Sequence, residues 1–275
     1  MQIDLADPSS ERKLTNLIKE CGEHTTVVHT ALPWGPVKKN AYAHELMIAG
    51  SLALLRAAKI ARTRKIILAS TTDIYGAFAT NPNYLSEEAA LRGGTQSFYL
   101  EARIHVEEMF AKYQATQRHC CVTMLRPCTI LGSSISNFKT NFLQQPVIPT
   151  VLGFDPLIQF VHESDVLRAF LTVIERDAPG IFNIVGDGVM PFSRATRLAR
   201  RTCVPLPEFM LSLIADFAWT IDMGYAPSSH MPFLKYPCVA DGAKARRELD
   251  FVPVYTSQEA LLSFVGQDHT ITRTI

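Results

Sequence analysis

The sequence lacks the features that mark nucleic-acid-binding, metal-binding or disulfide-rich proteins. Its 27 basic and 26 acidic side chains leave a formal net charge of +1, so no excess of one sign suggests nucleic acid or an anionic membrane as a partner. The six cysteines are scattered, and none forms a CxxC pair or stands beside a histidine at metal-ligand spacing. We therefore expect reduced thiols, no metal, and a small molecule or another protein as the partner.

Long apolar runs are also lacking, and the opening residues do not show the pattern of a leader peptide. No stretch of about 18 apolar residues occurs, and the opening residues MQIDLAD do not combine a basic segment with an apolar one. These observations predict a soluble, cytoplasmic protein. What is present is an ordinary globular composition, with 275 residues of which 47% are hydrophobic, enough for one large α/β domain or a domain with a lobe.

Segments with the periodicity of strands and helices alternate through the first two thirds of the chain. Residues 25–32 (TTVVHTAL) and 65–70 (KIILAS) are β-branched runs, and apolar residues recur between them at helical spacing. The other elements predicted in this way are helices over residues 99–116 and 164–176 and strands over 121–131, 159–162 and 181–185. Such alternation predicts a parallel sheet covered by helices, with ligands at the carboxyl ends of its strands.

Three short motifs occur in order along the chain: Ala69-Ser-Thr-Thr-Asp-Ile-Tyr-Gly76, Tyr99-Leu-Glu-Ala-Arg103 and Leu125-Arg-Pro127. Together they resemble the extended short-chain dehydrogenases/reductases of the NAD-dependent epimerase/dehydratase family, and weaker matches extend the resemblance to about residue 262. The resemblance implies an α/β fold with a Rossmann-like, doubly wound parallel sheet and a small C-terminal substrate lobe. It places the dinucleotide-binding part at residues 1–135 and 159–188, and the substrate-side lobe mainly at 136–158 and 189–275.

The resemblance implies catalytic roles for three residues. Thr71 would hold the substrate oxygen, Tyr99 would exchange its hydroxyl proton, and Arg103 stands where the family has lysine. Tyr99 and Arg103 are four residues apart on a predicted helix, so they share one face, and a cation there should lower the pKa of the phenol. Arginine does not replace lysine conservatively. The alternatives are a solvated helix face for this pair and an ordinary strand-end threonine for Thr71.

The cofactor that the resemblance implies is NAD or NADP. The glycine-rich strand, loop and helix with which the family begins do not occur, because residues 3–7 already resemble its third strand; we therefore expect an N-terminally truncated Rossmann-like unit. Leu32-Pro33 stands where the family has small residues, which would weaken cofactor binding, and Met47 replaces an asparagine and is more simply a core residue. The implied cofactor contacts are Asp4, Ala31, Ser70, Tyr99, Arg103 and Pro127.

A truncated unit would expose an apolar sheet edge. Such an edge favours pairing with another chain, so a homodimer or a local rearrangement is expected, unless the sequence is a fragment of a longer product.

The implied substrate contacts are Thr71, Thr129 and His162. Ile158 stands four residues before His162, where family members acting on nucleotide sugars carry an arginine. An apolar side chain cannot make the bidentate phosphate contact, so we expect a substrate that is not a nucleotide sugar. His162 is also interpreted as a cap, because a helix is predicted to begin at Ser164.

Several apolar residues of the lobe fit either a pocket or a core, and core is the simpler interpretation. They are Leu152, Phe154, Leu157, Phe209, Met210, Phe217 and Trp219. Cys128 is interpreted as a small buried hydrophobe.

Two functions remain open at this point. One is an NAD(P)-dependent oxidoreductase or epimerase acting on a hydroxyl or keto group, with weakened cofactor binding. The other is a non-catalytic relative that serves as a binding or assembly partner.

Overall fold

The computed structural model describes residues 2–22, 24–33, 35–36, 45–224 and 226–266. The first elements in chain order are α1 (Ser10–Cys21), β1 (Thr26–His29), a π-helical turn (Glu45–Ala49) that leads into α2 (Gly50–Ile60), β2 (Lys65–Ala69), two 3₁₀ turns (Thr72–Tyr75 and Gly93–Thr95), α3 (Phe98–Thr116) and β3 (Cys121–Pro127). They are followed by β4 (Thr129–Leu131), α4 (Phe138–Gln144), β5 (Val147–Val151), β6 (Leu157–Ile158), β7 (Phe160–His162), α5 (Glu163–Glu175) and β8 (Gly180–Ile184). The last elements are β9 (Met190–Pro191), α6 (Phe192–Leu198), β10 (Thr202–Leu206), α7 (Glu208–Thr220), a 3₁₀ segment (Ser228–Leu234), α8 (Ala243–Leu249) and α9 (Ser257–Phe264).

A four-stranded sheet of order β1-β2-β3-β8 forms the centre of the molecule, and all its neighbouring strands are parallel. Every residue of β2 is buried, because helices cover both faces of the sheet. The predicted α/β fold with a parallel sheet is confirmed. Strand β1 is an edge strand, and no described strand pairs with its outer side.

The strand expected at residues 3–7 is wrong: these residues form an irregular segment and a turn. Asp4 and Asp7 use their carboxylates locally, accepting hydrogen bonds from the backbone amides of Ala6 (2.9 Å) and Ser9 (2.7 Å). Such side-chain bonds to nearby amides compete with strand pairing. The segment instead leads into α1.

The predicted continuous strand at 121–131 is interrupted at Cys128. Strand β3 ends at Pro127, and β4 pairs with β7 in a separate two-stranded sheet. Proline has no amide hydrogen to continue the ladder, whereas the Cys128 amide still donates to the Ile184 carbonyl at 3.1 Å. The break turns the chain away from the sheet and toward the lobe.

The hydrophobic core under the sheet contains Met47, which is fully buried, so its interpretation as a core residue is confirmed. The same interpretation is wrong for most of the apolar residues of the lobe, since the following side chains are exposed: Leu152, Phe154, Leu157, Phe209, Met210 and Phe217. None of the described helices is long and apolar enough to cross a membrane.

The buried imidazole of His29 predicts a loss of stability in acid. Its ring stacks on Phe110, and its Nε2 atom lies 2.9 Å from the Ser51 hydroxyl. Burial, assisted by the charge of Arg103, lowers the pKa of His29 to about 4, against about 6.5 in an unfolded chain. Between these values the unfolded state binds more protons, so the free energy of unfolding should fall by up to about 3 kcal/mol as the pH drops.

Urea unfolding at neutral pH and at pH values down to about 4 measures this fall. In His29→Gln the fall should be smaller, because the titrating group is gone. The His230 side chain, whose pKa burial also lowers to about 4, should account for part of what remains. If the free energy of unfolding fell equally in wild type and variant, the loss of stability in acid could not be assigned to His29.

Candidate active site

Two residues in the first turns of α3 form the centre of the candidate site. Tyr99 and Arg103 are only 5% and 3% exposed, and the Arg103 guanidinium carbon lies 5.4 Å from the centre of the Tyr99 ring. The Tyr99 hydroxyl donates to the Pro33 carbonyl oxygen at 3.2 Å, and Arg103 Nη2 donates to the same oxygen at 2.5 Å. The two residues share a face as their spacing predicted, but the face is buried and not solvated.

Arg103 also ties α3 to the central sheet. Its Nη1 atom donates to the carbonyl of Ala69, the last residue of β2, at 3.2 Å. Its Nε atom is buried and has no hydrogen-bond partner among the described residues. The guanidinium thus holds the segments that follow β1 and β2 at the carboxyl ends of the strands, where sheets of this type bind ligands.

The pKa of Tyr99 is higher than that of an ordinary tyrosine. Burial raises it, and the neighbouring Arg103 charge acts in the opposite direction without reversing the shift. The sequence-based expectation of a lowered pKa was wrong, because the arginine stands in a site where desolvation of the phenolate outweighs the attraction of the cation. Tyr99 is therefore protonated at neutral pH and suited to donate a proton.

The motif that begins at Ala69 follows β2 directly. The Ser70 side chain is buried, and its hydroxyl has no partner among the described residues. Thr71 caps the 3₁₀ turn that follows, with its hydroxyl accepting from the Asp73 amide at 3.3 Å. This brings Thr71 to the same strand end as Arg103.

A cavity of about 350 Å³ lies on the lobe side of this strand end. Its wall is mostly apolar and is contributed by α4, α7, the 3₁₀ segment that follows α7, and the strands beside them. Ile158 is part of the wall, as is Cys128, whose thiol pKa burial raises to about 12. A neutral thiol of this kind is a small buried hydrophobe, as expected.

An ion pair forms the polar part of this cavity. The Lys139 ammonium lies 2.7 Å from the Asp73 carboxylate and donates to the Thr129 hydroxyl at 3.0 Å. Thr129, a predicted substrate contact, therefore lines the cavity beside a charge pair that the sequence did not suggest. Asp73 lies inside a recognised motif, but Lys139 carries no motif signal.

His230 lies between Tyr99 and the cavity. Its ring centre is 6.5 Å from that of Tyr99, and it packs edge-on against Phe138 and stacks on Phe233. Burial lowers the pKa of His230, so the imidazole is neutral at neutral pH. Its Nε2 atom is buried without a described partner, which leaves it able to bond to a polar ligand atom.

The other predicted contacts differ in exposure. Ala31 is exposed, as is Asp4, while Pro127 is buried at the end of β3. His162 caps α5, and its two ring nitrogens lie 2.7 Å from the Ser164 hydroxyl and 3.1 Å from the Ser263 hydroxyl, so it serves as the predicted cap and does not line the cavity. Trp34, which follows Pro33, is outside the described residues.

Residues 1–185 match the model of the NAD-dependent epimerase/dehydratase family. Uncharacterized protein Rv0501 of Mycobacterium tuberculosis is 27% identical over 263 residues, which is 94% of this chain and 69% of the relative.

Solved structures with a similar fold include UDP-glucose 4-epimerases of two bacteria. The Thermotoga maritima protein, solved with UDP-glucose, has a TM-score of 0.72 at 18% identity, covering 97% of this chain and 83% of that one. The Thermus thermophilus protein, solved with NAD, has a TM-score of 0.72 at 19% identity, covering 98% and 84%. RMD of Pseudomonas aeruginosa, solved with NADPH, has a TM-score of 0.70 at 17% identity, covering 98% and 88%.

Proposed function

Because the chain belongs to the NAD-dependent epimerase/dehydratase family, we propose that it catalyses an NAD(P)-dependent reaction at a hydroxyl or keto carbon of a small, largely apolar molecule. The observation that carries this proposal is the buried Tyr99–Arg103 pair, whose donors converge on one oxygen at the carboxyl end of the sheet. The apolar cavity wall, including Ile158, supports a substrate without a diphosphate group.

The ribose of a nicotinamide cofactor fits the donors of this site. Tyr99 and Arg103 present two donors to a single carbonyl oxygen, and the buried Arg103 Nε and Ser70 hydroxyl have no described partner. Ribose hydroxyls would accept from Arg103, donate to the Tyr99 hydroxyl oxygen, and provide partners for the atoms whose burial is otherwise unfavourable. When bound, the cofactor would give or take a hydride.

The Pro33 carbonyl competes for the same donors. Its oxygen accepts from both Tyr99 and Arg103. Two residues further on, Gly35 packs so closely against Phe138 that a Cβ atom added to this glycine would lie only 2.6 Å from the Phe138 ring. The segment is thus packed closely over the site, and a ribose would have to displace it. This arrangement supports the weakened cofactor binding that the sequence suggested.

The protein's own residues would move the proton. A protonated Tyr99 would donate its hydroxyl proton to the oxygen of a keto group as that oxygen gains charge, and Thr71 would orient the same oxygen. Arg103 would keep Tyr99 in place and favour its phenolate after the transfer. The raised pKa of Tyr99 suits reduction better than oxidation, because the acid form predominates at neutral pH.

Binding of NADH and NADPH to the purified chain, measured by calorimetry, tests the proposal. A micromolar dissociation constant, together with a rise in melting temperature, would support it. Consumption of NAD(P)H with a panel of apolar ketones then tests the reaction itself. No binding at millimolar cofactor would contradict the proposal.

Replacing Pro33 by glycine should tighten cofactor binding. Glycine gives the segment more conformational freedom when it is displaced from the site. It therefore disfavours the state in which the residue 33 carbonyl occupies the two donors by about 1 kcal/mol, which changes the ratio of the occupied to the displaced state about fivefold. The apparent dissociation constant of NADH should therefore fall by up to about fivefold. Pro82→Gly, at an exposed loop position that is not part of the cavity wall, is the matched control and should leave it unchanged. Equal or weaker binding by Pro33→Gly would contradict the competition.

A non-catalytic relative is the second candidate, and the Pro33 contact is the observation that favours it. A carbonyl that occupies both donors gives the pair a structural role without any ligand. In that case Pro33→Gly would lower the stability of the protein and no cofactor would bind to either form.

A further inference from the structure

One polar side chain of the cavity wall, His230, lacks a hydrogen bond at one of its two ring nitrogens. Its Nδ1 atom lies 3.4 Å from the Ser229 hydroxyl, whereas its Nε2 atom is shielded from water and has no partner among the described residues. A buried nitrogen without a hydrogen bond is unfavourable, and such groups are uncommon in folded proteins. A compound that enters the cavity would supply the missing partner.

The imidazole of His230 is held in place by its own segment and by two aromatic rings. It belongs to the 3₁₀ segment Ser228–Leu234, and its backbone amide donates to the Pro227 carbonyl at 3.0 Å. Its ring packs edge-on against Phe138 and stacks on Phe233, with ring centres 5.7 and 6.2 Å away. Packing of this kind fixes a binding group before any ligand arrives.

Other polar side chains of the wall find their partners within the protein. Asp73 and Lys139 form an ion pair in which the ammonium lies 2.7 Å from the carboxylate. The Gln159 side chain donates to the Ala240 carbonyl at 3.2 Å and accepts from the Ala240 amide at 3.1 Å. Compared with these groups, His230 is the one that still needs a partner.

The charges of the wall favour a neutral ligand group. Burial lowers the pKa of His230 to about 4, so its imidazole is neutral at neutral pH. As far as its residues are described, the wall contains one permanent cation, Lys139, and Asp73 compensates its charge. A phosphate or carboxylate would meet no uncompensated cation there. A hydroxyl fits either tautomer of a neutral imidazole, because it both donates and accepts.

His230 is also close to the proposed proton donor. Its ring centre lies 6.5 Å from that of Tyr99. Two oxygens on neighbouring carbon atoms are about 3 Å apart, and a hydrogen bond of about 2.8 Å at each end joins polar atoms up to roughly 8.5 Å apart. A ligand with such a pair of oxygens therefore has the right size to bond to Tyr99 at one end and to His230 at the other.

We propose that His230 determines substrate specificity by binding a hydroxyl on the carbon next to the reacting carbonyl, which makes an apolar α-hydroxy ketone the substrate class. Tyr99 and Thr71 would bind the carbonyl oxygen. That the ligand is a substrate rests on the proposed function, whereas the role of His230 in binding it rests on the cavity.

The reaction on such a substrate would be a reduction. A hydride from NAD(P)H would add to the carbonyl carbon, and the Tyr99 proton would pass to the carbonyl oxygen. The products are a vicinal diol and the oxidised cofactor, and solvent would return a proton to Tyr99. The hydroxyl bound to His230 would take no part in the chemistry.

Benzoin and deoxybenzoin test the proposal, because these two apolar ketones differ only in the hydroxyl next to the carbonyl. In calorimetric titrations without cofactor, the wild-type chain should bind benzoin roughly 10- to 100-fold more tightly, since only benzoin gives the imidazole a partner. In His230→Phe a ring remains but the nitrogens are absent, so the two dissociation constants should become equal. His230→Gln, whose amide forms hydrogen bonds, should restore part of the preference.

The matched control is Phe142→Leu, which trims an apolar residue of the same wall whose ring does not pack on His230. It should weaken the binding of both compounds alike and leave the ratio of their dissociation constants unchanged. Circular dichroism and melting temperatures show whether each variant folds.

The proposal is overturned if the wild-type chain binds the two compounds equally or binds neither, or if His230→Phe keeps the preference for benzoin. Titration with NADH and kinetics with both ketones separate it from the proposed function. A preference for benzoin that depends on His230, without any cofactor binding, would contradict the proposed function alone. Reduction of both ketones with equal kcat/KM would support the proposed function and contradict the role of His230.

Discussion

Tyr99→Phe should lower the rate of NAD(P)H-dependent reduction by about 10²- to 10⁴-fold, the range that a positioned acid or base contributes. The change removes the hydroxyl that donates to Pro33 and leaves the ring in its place between Arg103 and His230. Steady-state kinetics with the best ketone of the panel measures the effect. The loss should appear in kcat, because the proton is transferred only in the chemical step.

The matched control is Tyr113→Phe, which changes a tyrosine on the same helix. The Tyr113 hydroxyl is buried and has no described hydrogen-bond partner, so its removal leaves no bond broken. This variant should keep wild-type kcat and wild-type stability. Unchanged turnover in Tyr99→Phe would exclude Tyr99 as the proton donor, and equal losses in both variants would indicate damage to α3 and not to the chemistry.

Glu107→Ala should cause the largest loss of stability among the single changes considered, about 3–5 kcal/mol. Arg126 and Glu107 are 2% and 4% exposed in their side chains. The carboxylate accepts from Arg126 Nε at 3.0 Å and from Nη2 at 2.5 Å. Without Glu107 the guanidinium remains buried with an uncompensated charge.

The same arginine holds further elements together. Its Nη1 atom donates to the Tyr75 hydroxyl at 2.7 Å, and that hydroxyl donates to Asn183 at 2.8 Å. The network thus joins β3, α3, the turn that ends at Tyr75, and β8. Loss of Glu107 should therefore loosen the strand end that carries Thr71 as well as lower the free energy of unfolding.

Urea denaturation measures both effects, through the midpoint and the slope of the transition. Asp250→Asn is the control: it breaks an exposed ion pair with Arg176, keeps a residue type that tolerates the left-handed backbone at this position, and should change the free energy of unfolding by less than about 1 kcal/mol. In Glu107→Leu/Arg126→Met both charges are absent, so the loss should be smaller than in Glu107→Ala. A loss below about 1 kcal/mol in Glu107→Ala would contradict this account.

The central sheet was predictable because each of its strands is a local apolar run. Residues 65–70 and 181–185 were predicted within one residue of β2 and β8, since strands buried on both faces need apolar side chains throughout. The errors in predicting strands arose where local side-chain hydrogen bonds compete with strand pairing, or where a residue has no amide hydrogen to continue the ladder. Asp4 and Asp7 bond to their own neighbours, and Pro127 ends the ladder between β3 and β4.

The sequence by itself determined the fold class and brought Tyr99 and Arg103 to one helix face, because both depend on local periodicity and on motifs read along the chain. Only the tertiary structure decided what surrounds them. The Pro33 carbonyl is 66 residues from Tyr99, and Lys139 is 66 residues from Asp73, so each contact exists only once the sheet and the lobe are packed. The exposure of Phe209 and Phe217 was likewise decided there, because an apolar helix shows its hydrophobicity in sequence but not which of its faces a neighbour covers.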